Sequence, residues 1–315
     1  MRPAPLCLFA AAAMVATPLA ARTPEQVAEA ALKAAPVWDG HNDVPMQLRD
    51  RFGNVLSGLD FHDTRHVPAG EEGGAEAMQT DLTRLRQGKV GAQFWSVYVP
   101  AGLLEPEAVQ TTIEQIDVTK RLIARYPEDL ALALNSADVE RAWKKGRIAS
   151  LMGMEGGGSI GSSLGVLRQM YDLGARYLTL THSKTLSWAD SATDAPKHGG
   201  LTDFGRDVVR EMQRIGMLVD LSHVSEETML DALEVARAPV IFSHSGARAV
   251  AGHARNVPDS VLARLKANGG IVMVVALPGF ISEEQRQWYA SHQAEEARLK
   301  TLWQGQPSIV ERELK

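Results

Sequence analysis

The chain has 315 residues, a formal net charge of −5 at pH 7, and a composition that is 45% hydrophobic and 23% charged. These proportions are typical of a globular protein, and the length suits one large barrel or two ordinary domains. Because acidic and basic residues are interspersed, the sequence has no clustered basic face and predicts no nucleic-acid partner.

Residues 1–21 have the layout of a secretory signal peptide. Arg2 precedes an apolar run over residues 6–15, which is too short to span a bilayer, and small residues follow. Cleavage would leave a single domain over residues 22–315, exported to the periplasm or the medium; a frayed N-terminal helix is the alternative. Cys7 is the only cysteine, so the mature chain would have neither disulfides nor thiolate chemistry. No later segment is apolar enough to cross a membrane.

Seven apolar runs follow in chain order, and amphipathic stretches separate several of them. The runs are "VWDGHND", "VGAQFWSVYV", "IASLMGME", "RYLTLTH", "MLVDLSH", "PVIFSH" and "GIVMVVAL". The stretches "EAVQTTIEQIDVTKRLIARYP" and "DFGRDVVREMQRIG" have the helical period, and Gly174 and Gly216 stand where helices would end. Continuously apolar strands that alternate with helices favour a parallel sheet buried on both faces.

Four of the predicted strands end in a residue of a metal-binding type. The third run ends in Glu155, the fourth in His182, the fifth in His223 and the sixth in His244. In a (β/α)8 TIM barrel the C-terminal strand ends gather at one mouth, where the active site lies. An open doubly wound sheet would bring fewer of them together. The sequence therefore predicts an α/β chain folded as a TIM barrel, with these side chains at its mouth.

The first run adds His41 and Asp43, which would project to the same side of a strand because side chains alternate. With Glu155, His223 and His244, they make five side chains of types that bind zinc through nitrogen or oxygen. Because five ligands exceed what one tetrahedral ion needs, we predict two zinc ions that share the glutamate. Paired ions clamp a water between them and lower its pKa for attack.

Two glycine motifs allow competing interpretations. Gly157, Ser159 and Gly161 match the G-x-S-x-G nucleophile elbow, and Gly156, Gly158 and Gly161 match the dinucleotide-binding G-x-G-x-x-G. The elbow also needs a later acid and a histidine, which many chains supply by chance. The run after the second motif ends in a histidine instead of the acid that a dinucleotide site requires. The glycines more simply let the backbone pass close to a metal-binding carboxylate.

Several polar residues near the mouth have open roles. An arginine there could bind a substrate carboxylate, and the residues alone do not choose between Arg248 and Arg255. Trp188 and Asp190 lie in the loop after His182, without an assigned role. Four further histidines lie away from the strand ends and are interpreted as surface or structural residues: His62, His66, His198 and His292.

A resemblance to a known family rests on six motifs, in order, along residues 37–280. They are "DGHNDVP", "DLTRLRQGKVGAQFWSVYVP", "GMEGG", "RYLTLTHSKTLSWADS", "VDLSHVS" and "PVIFSHSGARAV" followed by "RNVPD". The sequence is similar to the renal or membrane dipeptidases, metallopeptidase family M19. The resemblance implies a (β/α)8 barrel with a binuclear zinc site and hydrolysis of dipeptides, including those with a C-terminal D-residue. Some members of the family also open β-lactams.

The resemblance also implies how the metal ligands are divided. His41 and Asp43 would bind one zinc ion, His223 and His244 would bind the second, and Glu155 would bridge the two. A hydroxide shared by the ions would attack the peptide carbonyl.

Two further residues acquire roles by resemblance. His182 would contact the substrate and help to stabilise the tetrahedral intermediate. Arg255 would hold the C-terminal carboxylate of the dipeptide, which resolves the choice of arginine in its favour. Relatives are often dimers, so a homodimer is a further expectation.

The sequence departs from the family at its end. A motif like "GSDFDG" on the eighth strand, whose aspartate serves as general acid/base, has no counterpart, and a charged, helix-prone segment follows "GIVMVVAL". We therefore expect a barrel without its last strand. A fragment of a longer gene product is the favoured explanation; a strand supplied by a second chain and an inactive truncated product are the others. The alternative functions are a catalytically inactive zinc- or peptide-binding protein and a related metal-dependent amidohydrolase acting on lactams or cyclic amides.

Overall fold

The computed structural model describes residues 22–70 and 76–314, so the predicted signal peptide lies outside the described residues. The described residues up to Ala35 belong to one compact unit, and those from Pro36 onward belong to another. The first unit contains helix α1 (Pro24–Ala34), whose start is a capping box between Thr23 and Gln26.

The second unit contains parallel strands alternating with helices. The strands are β1 (Val37–Asn42), β2 (Val90–Tyr98), β3 (Leu130–Leu132), β4 (Ile148–Glu155), β5 (Ala175–Thr179), β6 (Leu218–Asp220), β7 (Ile241–Ser245) and β8 (Ile271–Val274). The helices are α2 (Val44–Phe52), α3 (Leu82–Gln87), α4 (Glu105–Arg125), α5 (Ser136–Lys144), α6 (Leu164–Asp172), α7 (Asp203–Ile215), α8 (Glu226–Val235), α9 (Asp259–Asn268), α10 (Pro278–Ile281), α11 (Glu283–Leu302) and α12 (Pro307–Leu314).

The sheet is a nearly closed barrel. Its strands pair in the order β1-β2-β4-β5-β6-β7-β8, and these seven are the predicted apolar runs. The two ends of the sheet approach each other, because a Cβ atom on Gly40 of β1 would lie 2.4 Å from the sulfur of Met273 on β8. The prediction of a (β/α)8 barrel that lacks one strand is confirmed. Strand β3, which pairs with the start of β4, is missing from the predicted strands because three residues are too short to recognise as a run.

The open side of the barrel lies between β8 and β1. Every residue of β4, in the middle of the sheet, is buried. In contrast, Ile271 and Val274 of β8 are 54% and 73% exposed, and Trp38 of β1 is 41% exposed. These exposed apolar side chains mark the position of the strand that the barrel lacks.

Alternation of side chains divides the core into an inner and an outer part. Phe94 of β2 points into the barrel and packs against Tyr177 of β5, with ring centroids 4.9 Å apart. The next residue, Trp95, points outward and packs in a cluster with Leu48 of α2 and Leu122 of α4. The inner side chains support the barrel mouth from below, and the outer ones hold the helices onto the sheet.

Two predicted helix ends are confirmed. Gly216 ends α7 with a φ of +83°, and Gly174 follows α6 with a φ of +115°, a backbone region that favours glycine. The charged segment after β8 is helical, as expected, and forms α10 to α12. None of the helices that the structure describes has the length and apolar character of a membrane span.

Candidate metal centre

The candidate metal centre lies at the strand ends, around the carboxylate of Glu155. His41 belongs to β1, Glu155 is the last residue of β4, and His244 belongs to β7. His182 and His223 lie three residues beyond the ends of β5 and β6, in loops and not at the strand ends that the sequence predicted. Possible ligand atoms of His41, Glu155 and His244 all lie within 4.8 Å of one another, and so do those of Glu155, His182 and His223.

The two carboxylate oxygens of Glu155 face different sets of side chains. Oε2 lies 3.4 Å from His41 Nε2 and accepts a hydrogen bond from the Ser96 hydroxyl at 3.0 Å. Oε1 lies 3.0 Å from His223 Nε2 and 3.4 Å from His244 Nε2. A carboxylate in this position can offer one oxygen to each of two metal ions.

The histidines around Glu155 lie so close together that distance alone does not assign each one to a particular ion. Their division between two ions stays a prediction. His223 Nε2 and His244 Nε2 are 3.0 Å apart, as a shared ion would require. His244 also packs on His41, with ring centroids 3.8 Å apart. Asp43 contacts the cluster through His41, whose Nε2 lies 3.2 Å from Asp43 Oδ1. The aspartate side chain is 47% exposed and lies just after β1, at the start of α2.

Burial and mutual attraction set the charges in this cluster. Burial alone would raise the pKa of Glu155, but attraction to His41 and a hydrogen bond from His223 hold that pKa well below its usual range. Burial lowers the pKa of His223 and of His244 to about 3, so both imidazoles are neutral. His41 differs, because attraction to Glu155 and Asp43 outweighs burial and raises its pKa well above the usual range, so it must lose a proton to bind a metal. The cluster thus presents a carboxylate, two neutral imidazoles and a third imidazole that a metal would deprotonate, which is a donor set that fits zinc.

The backbone at His223 is strained. Its φ of +71° lies in the left-handed region, which a residue with a side chain rarely adopts. The loop after β5 holds this conformation, since the His223 carbonyl accepts hydrogen bonds from Ala192 N at 2.8 Å and from the Ser191 hydroxyl at 3.4 Å. The same Ser191 hydroxyl contacts the His182 carbonyl at 2.6 Å. One loop therefore positions both histidines.

The two candidate arginines have different surroundings. Arg248 forms an ion pair with Glu226 at 2.7 Å, away from the cluster. Arg255 is only 4% exposed, and its guanidinium lies over the ring of Phe280, 5.4 Å from the centroid. Its Nη2 makes a long contact of 3.5 Å with the His244 carbonyl, and its Nη1 is buried without a hydrogen-bond partner in the described chain. Arg255 is the arginine at the barrel mouth that has a donor free for an anion.

The remaining predicted motifs have structural roles. The Ser159 hydroxyl donates to the Gly156 carbonyl at 2.7 Å within its own turn, which does not suit a nucleophile. Trp188 is buried against Gly157, where a Cβ atom would lie 2.4 Å from the indole. Asp190 is buried and accepts hydrogen bonds from backbone N–H groups of residues 197, 198 and 200, so it organises the loop that reaches the metal centre.

Sequence reasoning missed the residues that support the ligands from behind. Ser243 and Asp220 lie behind His244, and Tyr177 lies behind His41. Asp220 and Ser243 belong to the quoted runs "MLVDLSH" and "PVIFSH", so a polar residue inside an otherwise apolar strand was the available signal. For Tyr177 the sequence carries no comparable signal, because an aromatic residue in a strand is ordinary.

Comparisons with known proteins show which family the chain is similar to. The model of the family "Membrane dipeptidase (Peptidase family M19)" matches residues 25–303. An uncharacterized dipeptidase of Schizosaccharomyces pombe is 45% identical over 273 residues, which cover 82% of this chain and 64% of that protein. Dipeptidase 3 of Rattus norvegicus is 47% identical over 257 residues, which cover 80% of this chain and 50% of that protein.

A solved metallopeptidase from Rhodobacter sphaeroides, liganded with a phosphinate mimic of the dipeptide L-Ala-D-Ala, has the same fold. It superposes with a TM-score of 0.68 and 24% identity, over 79% of this chain and 76% of that one. The chain spans about half to two thirds of the length of the two curated relatives. The family match extends over most of the chain, from α1 to the end of α11. The chain therefore belongs to the membrane dipeptidase family, peptidase family M19.

Proposed function

We propose that this protein is a zinc-dependent dipeptidase that hydrolyses the peptide bond of dipeptides, including those with a C-terminal D-residue. The observation that carries the proposal is the position of Glu155, whose two oxygens face two sets of metal-binding side chains at the barrel mouth. Family membership supports the same reaction. Arg255 adds a feature that selects a substrate with a free carboxylate.

The donor set supports two ions. His41, Asp43 and Glu155 would hold one zinc ion, and His223, His244 and Glu155 would hold the other. Zinc ions bound by these residues would lower the pKa of a water and so provide the nucleophile. The protein keeps His223 and His244 neutral by burial, so their ring nitrogens are available as ligands without loss of a proton.

Arg255 supports the choice of a short substrate. Its Nη1 is buried and unpartnered, and a buried donor in that state gains more from an anion than an exposed one does. A planar guanidinium binds a carboxylate through two parallel hydrogen bonds. Because Arg255 lies against the His244 carbonyl, the carboxylate that it binds would stand close to the metal centre, so the bond to be cleaved lies near a free C-terminus.

His182 is placed to stabilise the negative oxygen that forms in the transition state. Its ring lies between those of Tyr98 and His223, at centroid distances of 4.8 and 4.2 Å. Burial lowers the pKa of His182, so the ring is neutral at pH 7. When the Ser183 hydroxyl donates to Nδ1, at 3.2 Å, the proton of His182 is on Nε2, which faces the centre 3.6 Å from Glu155 Oε1. A neutral N–H in this position donates to an oxyanion.

Two finer parts of the proposal have their own support. The phosphinate mimic of L-Ala-D-Ala in the Rhodobacter sphaeroides metallopeptidase, together with the family resemblance, supports activity on a C-terminal D-residue. The charged start, short apolar run and small residues of segment 1–21 support export from the cytoplasm.

The test combines metal content with substrate choice. We would purify the protein, measure zinc per chain by atomic absorption, and follow hydrolysis of L-Ala-L-Ala, L-Ala-D-Ala and the C-terminal amide L-Ala-L-Ala-NH2. We expect two zinc ions, hydrolysis of both dipeptides, and much slower cleavage of the amide because it offers Arg255 no carboxylate. Fewer than one zinc per chain would overturn the metal centre. Two zinc ions without hydrolysis would overturn the dipeptidase and favour an inactive binding protein.

A further inference from the structure

A relay of hydrogen bonds, which runs from Asp220 through Ser243 to His244, lies on the side of His244 away from Glu155. The Ser243 hydroxyl is 2.6 Å from Asp220 Oδ2 and 2.8 Å from His244 Nδ1. Asp220 is fully buried, and a carboxylate can only accept hydrogen bonds. The single hydroxyl proton of Ser243 is therefore committed to Asp220, and the Ser243 oxygen can only accept from His244. This arrangement places the proton of His244 on Nδ1 and leaves Nε2, which faces the metal centre, without a proton.

The acceptor at the end of this relay is held firmly. Asp220 Oδ1 accepts from the backbone N–H groups of Ser222 and Ser243, at 3.1 and 2.8 Å. Oδ2 also accepts from the Thr179 hydroxyl at 2.5 Å. Hydrogen bonds from Thr179 of β5, from Ser243 of β7 and from Ser222 just after β6 thus hold the carboxylate in its orientation toward Ser243.

A different group lies behind His41. The phenol oxygen of Tyr177 is 3.1 Å from His41 Nδ1 and 3.4 Å from the Gly40 carbonyl. Tyr177 belongs to β5 and reaches across the barrel interior to β1. Gly153 on the neighbouring strand makes room for the ring, since a Cβ atom at that position would lie 1.9 Å from the Tyr177 Cζ. The phenol can donate a hydrogen bond to the Gly40 carbonyl and accept one from His41 Nδ1, so Nε2 is the nitrogen that faces the metal centre.

We infer that Asp220, acting through Ser243, and Tyr177 are positioning residues that fix the ring tautomers of His244 and His41, each for a different ion of the proposed zinc pair. The inference rests on the proposed two-metal site. Hydrogen bonds of this kind behind metal-binding histidines orient the ring and raise its basicity, and their loss costs roughly 10- to 100-fold in metal affinity. Each support should therefore act on one ion and leave the other unchanged.

The experiment is a stepwise zinc titration against a chromophoric chelator, with the wild-type protein and the variants Ser243→Ala and Tyr177→Phe. We expect each variant to bind one ion with wild-type affinity and the other roughly 10- to 100-fold more weakly. The double variant should bind both ions weakly. One tight ion in the double variant would mean that both supports serve the same ion, which would overturn the inference.

Matched variants separate this role from a merely structural one. Thr119→Val removes a buried hydrogen bond of α4, from the Thr119 hydroxyl to the Gln115 carbonyl, without touching Asp220 or a histidine, so zinc binding should stay at the wild-type level. Ser243→Thr keeps the hydroxyl and should rescue the loss. Asp220→Asn would offer an N–H to Ser243, turn the serine proton toward His244 and weaken the same ion as Ser243→Ala. This variant provides a second test of the relay if Ser243→Ala does not fold.

The two proposals fail in distinguishable ways. Two tight zinc ions in wild type and in every variant would overturn the positioning roles and leave the dipeptidase proposal standing. Fewer than two ions in the wild-type protein would overturn the two-metal site, and the positioning roles with it.

Discussion

Glu211 on α7 and Arg255 at the barrel mouth are both charged side chains with little solvent contact, but their surroundings differ. The Glu211 carboxylate accepts hydrogen bonds from Arg214 at 2.7 and 2.8 Å and from Arg168 of α6 at 2.8 Å. Arg255 has a buried Nη1 without a partner in the described chain, and its Nη2 makes one long contact, with the His244 carbonyl at 3.5 Å. The Glu211 charge is neutralised by two arginines, whereas the Arg255 guanidinium has no ion-pair partner within 4 Å among the described residues.

The difference separates a charge that stabilises the fold from one that the fold leaves available to the proposed ligand. The two arginines lower the pKa of Glu211 to about 2, so folding favours its ionised form. At the mouth the effect is opposite, because burial lowers the pKa of Arg255 to about 10 and so disfavours the charge that it carries. An anionic ligand would recover that cost. The buried charge of Arg255 therefore destabilises the free protein, and binding of the proposed anionic ligand would offset that cost.

The largest expected effect is on the carboxylate that both proposed ions share. In Glu155→Gln one oxygen becomes an amide nitrogen, which is not a metal ligand, so we expect zinc affinity to fall at least roughly 100-fold at both ions, beyond the loss typical of a supporting residue. A chelator-competition titration measures both steps. Glu211→Gln is the control and should bind two ions like wild type, because it lies on the outer helices. Two tightly bound ions in Glu155→Gln would contradict a bridging role.

The next effect concerns replacement of Arg255, which should preserve or raise the free energy of unfolding but weaken dipeptide binding. Arg255→Met removes a buried unpaired charge, so the free energy of unfolding should equal or exceed that of wild type. The variant should bind a dipeptide roughly 100-fold more weakly, since one partner of a buried charge pair is lost. Thermal unfolding with and without a dipeptide measures both, because only the wild type should gain stability from the ligand.

Arg248→Met is the matched control for that experiment. Arg248 lies in the same loop but is paired with Glu226, so its replacement should leave dipeptide binding unchanged. An Arg255→Met protein that unfolds more easily but still responds to the dipeptide would show that the guanidinium supports the fold and does not bind the substrate.

A smaller effect tests whether the mouth depends on packing beneath it. A Cβ atom on Gly153 would lie 1.9 Å from the Tyr177 ring, so Gly153→Ala should destabilise the protein by about 1–3 kcal/mol, the usual cost of overpacking. Gly158→Ala is the control, because a Cβ atom there meets nothing within 4 Å. Urea unfolding compares the two. Equal stability of both variants would mean that Tyr177 can move without cost.

The sequence predicts the fold well where the signal is local. Seven strands coincide with mainly apolar runs, because a parallel sheet covered on both faces favours apolar residues in its strands. Gly174 and Gly216 mark helix ends because their backbone needs a positive φ. Strand β3 escapes prediction because three residues carry too little periodicity.

The residues of the candidate site likewise fall into those that the sequence predicts and those that it does not. Glu155 and the histidines are recognisable because polar, metal-binding types end apolar runs. The support behind them depends on which strands face each other across the barrel, and the residues alone do not give that. Tyr177 is 136 positions from His41 in the chain, and only closure of the sheet brings the phenol to the imidazole. The choice between Arg248 and Arg255 likewise needed the family resemblance, because the two differ in burial and not in type.

The smallest expected effect concerns Glu211, whose role is structural. Its pKa is about 2 in the folded protein and about 4.3 in the unfolded chain, so the ion pairs contribute stability above pH 4.3 and lose it as the pH falls toward 2. Since both arginines are largely exposed, we expect only about 1 kcal/mol between wild type and Glu211→Gln at pH 7. Urea unfolding at several pH values, with a chelator present so that metal release does not contribute, should show this difference shrinking below pH 4. In Glu140→Gln, whose exposed pair with Lys144 spans 3.3 Å, the difference should be much smaller throughout. A Glu211→Gln protein that also lost zinc would break the division between structural charge on the outer helices and ligand-binding charge at the mouth.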